Sequence, residues 1–113
     1  MTADPPLLDR AHLAAQTFGD AELAREVLGL FRAQMHRLPP ILRVGDEAGA
    51  RMDAAHTLKG SARGVGAARV AACAQACEAV LRAGGDPAAE LAALARALDA
   101  TEDAIAVYLR ESA

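Results

Sequence analysis

A histidine, a lysine and three glycines lie close together in the middle of the chain, in the stretch AAHTLKGSARGVGA (residues 54–67). The neutral imidazole of His56 is a nucleophile that is available near neutral pH. Lys59 follows one helical turn later, where an ammonium group can offset negative charge that arrives on the ring. Gly60 and Gly64 bear no side chain, although glycine inside a helix costs roughly 1 kcal/mol relative to alanine. This spacing indicates a histidine that attacks an electrophile such as phosphorus, on a helix surface left bare for a second molecule.

The orientation of His56 follows from helical geometry, in which each residue advances about 100° around the axis. Ala54, Leu58 and Val65 lie about 160–200° away from His56 and are the apolar residues that a core would bury. We therefore predict that the imidazole faces solvent. The glycines follow no strand, so they do not form a nucleotide-binding loop, and a phosphoryl donor has to come from a partner.

The length and composition of the chain indicate a single globular domain and argue against binding to nucleic acids or membranes. The chain has 113 residues, 53% of them apolar, with a net charge of −3 and no tryptophan. We expect a single domain over residues 1–113, with short flexible tails at 1–7 and 111–113. Scattered basic residues and few aromatics argue against nucleic-acid binding. The start of the chain is not a secretory signal and no apolar run approaches about 18 residues, so we expect a cytoplasmic protein away from membranes. We also expect the protein to be a monomer.

The periodicity of apolar residues is helical throughout and predicts an all-α fold. A short helix is expected from Asp9 to about Thr17 and a second after Asp20, which Pro39-Pro40 ends or kinks. Gly45-Asp46 marks a turn before a third helix, from about Glu47 to Val65, which Gly66 or its neighbour closes. The fourth helix is expected from about Ala67 to Ala83, and the fifth after the cap Asp86, with Pro87 at its first position.

The connections are short, which favours an antiparallel up-down four-helix bundle with the short N-terminal helix added at one end. We predict that each longer helix turns an apolar side inward. The expected inward residues are Leu23, Val27, Leu30, Phe31 and Leu38 in the second helix, Val70, Cys73, Cys77, Val80 and Leu81 in the fourth, and Leu91, Leu94, Leu98, Thr101, Ile105, Tyr108 and Leu109 in the fifth.

The two cysteines, Cys73 and Cys77, are four residues apart on one helix face. They are either a metal or redox pair or two reduced, buried apolar side chains, and the second interpretation fits free cysteine better. A metal-binding bundle that uses His12, His36, His56 and the cysteines remains a remote alternative, because ligands have to converge on one point. His12 and His36 are interpreted as surface residues near helix ends.

At His56 the sequence resembles the histidine phosphotransfer (Hpt) domain family of two-component phosphorelays. AAHTLKGSARGVGAARVAACAQACE is similar to the family pattern A-H-x-L-K-G-S-A followed by G-A and an apolar helix that ends in Glu. LDRAHLAAQTFGDAELAREVLGLF is similar to the first two helices of the family. The likeness covers most of the chain, and its H-x-L-K-G-S core is the specific part.

The resemblance implies that His56 accepts a phosphoryl group, that Lys59 stabilises it and that Gly60 gives steric access. Leu58 then matches the core anchor, and Gly66-Ala67 match the turn between the central helices. The implied activity is exchange of the phosphoryl group with an aspartate of a response-regulator receiver domain, without autonomous kinase activity. A receiver or a hybrid histidine kinase is the implied partner. The chain itself needs no cofactor or metal, since the receiver supplies magnesium.

Several features remain open beside this resemblance. An apolar residue usually stands five positions before the histidine in the family, where this chain has Arg51. Glu78 stands where some relatives have a glutamine near the site, and we interpret it as an ordinary solvated charge. The candidate docking surface comprises Leu13, Phe18, Met52, Arg63 and Gly64. An adaptor that binds a receiver or kinase without accepting phosphate is the alternative function, although the intact His56, Lys59 and Gly60 argue against it.

Overall fold

The computed structural model describes residues 4–44 and 47–112, and within them every regular element is an α-helix. The helices are α1 (Arg10–Gln16), α2 (Ala21–Val44), α3 (Ala48–Val65), α4 (Ala68–Arg82) and α5 (Ala88–Glu111). Helices α2 to α5 form a closed ring in which each packs on two neighbours, and α1 lies against α2 and α3. The predicted four-helix bundle with an additional short helix is confirmed. The predicted turn at Gly45-Asp46 lies outside the described residues.

The core is built from the inward faces of all five helices, and small alanines alternate in it with larger side chains. Its largest fully buried apolar side chains are Leu13, Leu28, Phe31, Leu42, Leu58, Val70, Leu94 and Ile105. Each large aliphatic or aromatic side chain that leaves water stabilises the fold by roughly 1.5–3 kcal/mol. Thr101 is buried within α5 as predicted, whereas Leu30 is 70% exposed and the prediction that it faces inward is wrong. Ala24, Leu28 and Met35 are buried together with the predicted Phe31 and Leu38, and Leu30 lies outside this buried side of α2.

Helix α2 does not end at the two prolines, because it continues through Pro39 and Pro40 to Val44. Proline inside a helix removes a backbone hydrogen bond and costs roughly 3 kcal/mol. Pro39 is itself buried between Leu38 and Leu42, which are both in the core. Two such prolines cost roughly 6 kcal/mol together, and burying two leucines, at roughly 1.5–3 kcal/mol each, offsets much of that penalty. In addition, Arg51 Nε donates a hydrogen bond to the Leu42 carbonyl at 2.8 Å, which links this last part of α2 to α3.

Caps position the helix ends close to where the sequence predicts them. The Asp9 side chain accepts a hydrogen bond from the His12 backbone N–H at 3.0 Å, and Asp20 accepts one from Glu22 at 2.9 Å. Gly66 ends α3 with a φ of 88°, in the left-handed region that favours glycine. Helix α5 begins at Ala88, one residue later than predicted, and its N–H is bonded by the Asp86 carboxylate.

The N-terminus of α4 has no side-chain cap, and the segment before α1 takes that role. The Pro6 carbonyl accepts a hydrogen bond from the Arg69 backbone N–H at 3.0 Å, and the Pro5 carbonyl accepts one from Arg69 Nε at 3.0 Å. Free N–H groups at a helix start need such partners. Asp9 N–H also donates to the Gly66 carbonyl at 2.8 Å, so this segment joins α1 to the turn between α3 and α4.

Both cysteines are free thiols on α4. Cys77 is buried and Cys73 is half-buried, which fits their interpretation as apolar core side chains. Burial raises the pKa of the Cys77 thiol to about 11, and the neighbouring Cys73 adds to the shift. A thiol held protonated in this way is a poor nucleophile. Among the helices described, none is long and apolar enough to cross a membrane.

Candidate functional site

His56 projects from the middle of α3, and its side chain is 69% exposed. The other side of the same helix explains this placement. Ala55, Leu58 and Ala62 are fully buried, and Ala54 and Val65 are nearly so. Because these residues anchor α3 in the bundle, the imidazole on the opposite side reaches solvent, as the helical spacing predicts.

Glu78 on α4 lies directly beside His56, and it is not the solvated charge that we expected from the sequence. The residue is only 4% exposed. Its Oε2 atom lies 2.9 Å from His56 Nδ1 and its Oε1 atom lies 2.5 Å from Lys59 Nζ. Arg82 donates to Oε2 at 3.0 Å. The expectation was wrong because the α3–α4 contact covers this part of α4, and the sequence of α4 alone does not show that contact.

The Glu78 carboxylate is charged near neutral pH. The hydrogen bond from Lys59 lowers the pKa of the Glu78 carboxyl below its ordinary value, the bond from His56 acts in the same direction, and burial opposes both. An ionised carboxylate only accepts hydrogen bonds, so in the His56 contact Nδ1 carries the proton. The Nε2 lone pair of a neutral His56 ring is then free on the exposed side of the imidazole.

Lys59 lies one turn beyond His56, and its side chain is only 14% exposed. Its ammonium group is bound to Glu78, so it belongs to the same hydrogen-bonded group as the imidazole. Arg82, which sequence reasoning missed, brings a second cation to this carboxylate. The sequence could have predicted this contact, because Arg82 follows Glu78 by four residues and oppositely charged residues at that spacing meet on a helix surface.

Gly60 and Gly64 leave an open strip on α3 next to His56. Both are exposed, and a Cβ atom built on either would meet nothing within 4 Å. The bundle itself therefore does not require glycine at these two positions. A bare helix surface allows another backbone to approach closely.

The candidate docking residues separate into exposed and buried ones. Phe18 is 89% exposed and has a φ of 56°, unusual for a residue with a side chain, while Arg63 is exposed and bonded to Gln75. Met52 is half-buried against the core. Leu13 is fully buried, so its assignment to a docking surface was wrong: α1 uses this side chain to attach itself to the bundle.

The remaining two histidines are not part of the hydrogen-bonded group formed by His56, Lys59, Glu78 and Arg82. His36 is exposed on α2 and His12 is half-buried in α1. Across residues 4–44 and 47–112, no three histidine, cysteine, aspartate or glutamate side chains gather in a group that could hold a metal ion.

Comparison with known proteins places this arrangement in a family. Residues 22–106 match the Hpt domain. The chain is also similar to a solved structure, the histidine phosphotransferase ShpA from Caulobacter crescentus, with 36% sequence identity, coverage of 94% of this chain and 93% of that one, and a TM-score of 0.74. No curated protein matches the chain.

The Hpt match covers well over half of the chain, so this chain belongs to the Hpt domain family. Its general role is that of a histidine-based phosphoryl carrier in a two-component phosphorelay. The resemblance seen in the sequence around His56 is thereby confirmed at the level of the family.

Proposed function

We propose that His56 is the phosphoacceptor of this carrier and that its Nε2 atom exchanges a phosphoryl group with an aspartate of a receiver domain. The observation that supports this assignment is the exposed imidazole whose Nδ1 is bound to the buried Glu78 carboxylate. This bond holds the ring with Nε2 outward and free to attack. In His36 and His12, by contrast, no ring atom is hydrogen-bonded to a carboxylate within the described residues.

The charges around the ring fit an incoming phosphoryl group. Lys59 and Arg82 bring two cations to one carboxylate, so the group has an excess of positive charge beside a neutral ring. A phosphoryl group brings roughly two negative charges at neutral pH. Lys59 is the cation nearest to His56 along α3, and we assign it to stabilisation of the phosphoryl group.

The chemistry of transfer depends on the partner. The glycines that follow His56 lie within α3 or at its end, and not in a strand-to-helix loop that would bind nucleotide phosphates. We therefore expect no autonomous kinase activity and assign the magnesium and most catalytic groups to the receiver. Gly60 and Gly64 provide the surface on which a receiver or a hybrid kinase approaches His56, and Phe18, Met52 and Arg63 are the further docking candidates.

The test is transfer of a radioactive phosphoryl group from a phosphorylated receiver domain to this protein. Wild type is expected to acquire an acid-labile label, and His56→Gln to acquire none while its helical content by circular dichroism is unchanged. His36→Gln, which alters an exposed histidine outside the site, is the matched control and should be labelled like wild type. Labelling that survives His56→Gln contradicts the assignment, and receiver binding without any label on wild type favours the adaptor function instead.

A further inference from the structure

A cavity of about 480 Å³ lies between α4 and α5, with the segment before α1 at its edge. Its polar side chains are Arg69 and Cys73 on α4, Arg96 on α5, and Asp4 of the N-terminal segment. Cavities of several hundred cubic ångströms are the usual size for small ligands. We propose that this cavity binds a small organic anion with an apolar body, such as an aromatic carboxylate or sulfonate. The inference is independent of the function proposed for His56.

Two guanidinium groups supply the positive charge that such a ligand needs. Arg69 is half-buried, and its Nε donates a hydrogen bond to the Pro5 carbonyl at 3.0 Å, which holds the side chain at the edge of the cavity. Within residues 4–44 and 47–112, neither Arg69 nor Arg96 forms an ion pair, although Asp4 lines the same cavity. Two arginines beside one aspartate leave an excess of positive charge. Guanidinium groups bind carboxylates and similar oxyanions through paired N–H donors.

The Cys73 thiol shows that both arginines act on the same part of the cavity wall. Burial raises the pKa of this thiol, the positive charges of Arg69 and Arg96 act to lower it, and the Asp4 carboxylate acts in the same direction as burial. An anion bound next to the thiol would therefore interact with both guanidinium groups at once.

The rest of the wall is mainly apolar and is built from short side chains. Helix α4 contributes Ala72, and α5 contributes Ala93, Ala97 and Ala100. Alanine at these positions leaves volume that a larger aliphatic side chain would fill. Such a wall favours a ligand with an apolar body, because apolar surface that leaves water contributes to binding. An inorganic anion would gain little from it.

The cavity lies on the side of α4 that faces away from the candidate phosphotransfer site. Cys73 and Arg69 are about 140° and 180° around the helix axis from Glu78. Glu78 contacts His56, and neither of these two residues lines the cavity. A ligand in the cavity and a receiver at His56 would therefore use different sides of α4.

The test uses two dyes that differ in one charged group. 8-Anilinonaphthalene-1-sulfonate carries an anionic sulfonate, and N-phenyl-1-naphthylamine has the same rings without it. Fluorescence titration of wild type should show one bound sulfonate per chain and about tenfold weaker binding of the neutral dye. Arg96→Gln should weaken binding of the sulfonate by about tenfold and bring the affinities of the two dyes together.

Arg37→Gln is the matched control, because Arg37 is an exposed arginine of α2 that does not line the cavity. It should bind both dyes like wild type. Equal affinity of wild type for the two dyes would overturn the inference, and so would equal loss of sulfonate binding in the two variants.

A second measurement locates the bound sulfonate dye on wild type. Cys73 lines the cavity, whereas Cys77 is fully buried one turn further along α4 and serves as the internal control. Alkylation by iodoacetamide is followed by mass spectrometry in mildly alkaline solution, where part of the Cys73 thiol is ionised. At a dye concentration about ten times its Kd, alkylation of Cys73 should slow by about tenfold. An unchanged rate at Cys73 would place the dye elsewhere and contradict the inference.

Discussion

At the scale of single residues, His56 and Glu78 show what the sequence can predict about a site. The outward direction of His56 follows from its spacing to Leu58 and Val65 within one helix, so it needs no knowledge of other elements. Burial of Glu78 depends on how α3 and α4 pack, and a Glu followed by an Arg four residues later is also typical of a solvated helix face. The sequence therefore predicted the candidate site residues on α3, but it did not predict that Glu78 and Arg82 of α4 lie beside them.

Gly60 allows a test of whether a partner needs the bare surface of α3 to reach His56. Gly60→Leu should fold normally and gain about 0.5–1 kcal/mol of helix stability, because nothing lies within 4 Å of the added Cβ. Phosphoryl transfer from a receiver should nevertheless fall by about tenfold or more, equivalent to about 1.4 kcal/mol of lost association, as the new side chain stands where the partner approaches.

Gly29→Leu is the control for this substitution, since Gly29 is an exposed glycine inside α2 with equally open surroundings. It should show a similar gain in stability by urea denaturation and unchanged transfer. Equal transfer rates in the two variants would show that the bare strip of α3 is not where the partner docks.

At the scale of helices, the caps were readable from the sequence and the interior of α2 was not. Asp9, Asp20 and Gly66 act locally, within a few residues of their own positions, so their types predict their roles. The course of α2 through Pro39 and Pro40 depends on burial of Leu38 and Leu42 against the other helices. The exposure of Leu30 has the same kind of cause. Phe31 and Leu38 are buried as their apolar pattern predicts, but packing centres the buried side of α2 away from Leu30.

Gly66 tests how closely the start of α1 approaches the turn between α3 and α4. A Cβ at this position would lie 2.7 Å from the Asp9 carbonyl oxygen, in a backbone conformation with a φ of 88°. Gly66→Ala should therefore destabilise the protein by about 2–3 kcal/mol, as a lower urea midpoint with unchanged slope. Gly64→Ala, two residues earlier in α3 with open space around it, should instead be stabilising by up to about 1 kcal/mol. Similar midpoints for the two variants would contradict the close approach of α1 to the α3–α4 turn.

At the scale of the whole molecule, the bundle presents the His56 ring on a surface and not in a cavity. One cavity of about 480 Å³ is lined by Asp4, Arg69, Cys73 and Arg96, and another of about 420 Å³ by Asp9, His12 and Arg63, while His56 lines neither. An exposed ring suits the phosphoacceptor role that we propose for His56, because a receiver domain would have to reach its Nε2 atom. The number and order of the helices were predictable from periodicity and short connections, and the similarity to a histidine phosphotransferase over nearly the full chain agrees with them.

The most direct test of the account is to locate the phosphorus atom on the intact, folded protein. The chain is labelled with 15N, phosphorylated by a receiver domain, and examined by nuclear magnetic resonance for coupling between phosphorus and the ring nitrogens. We predict coupling to Nε2 of His56, with Nδ1 of the same ring still bearing its proton toward Glu78. Coupling to Nδ1, or to a ring nitrogen of His12 or His36, would contradict it.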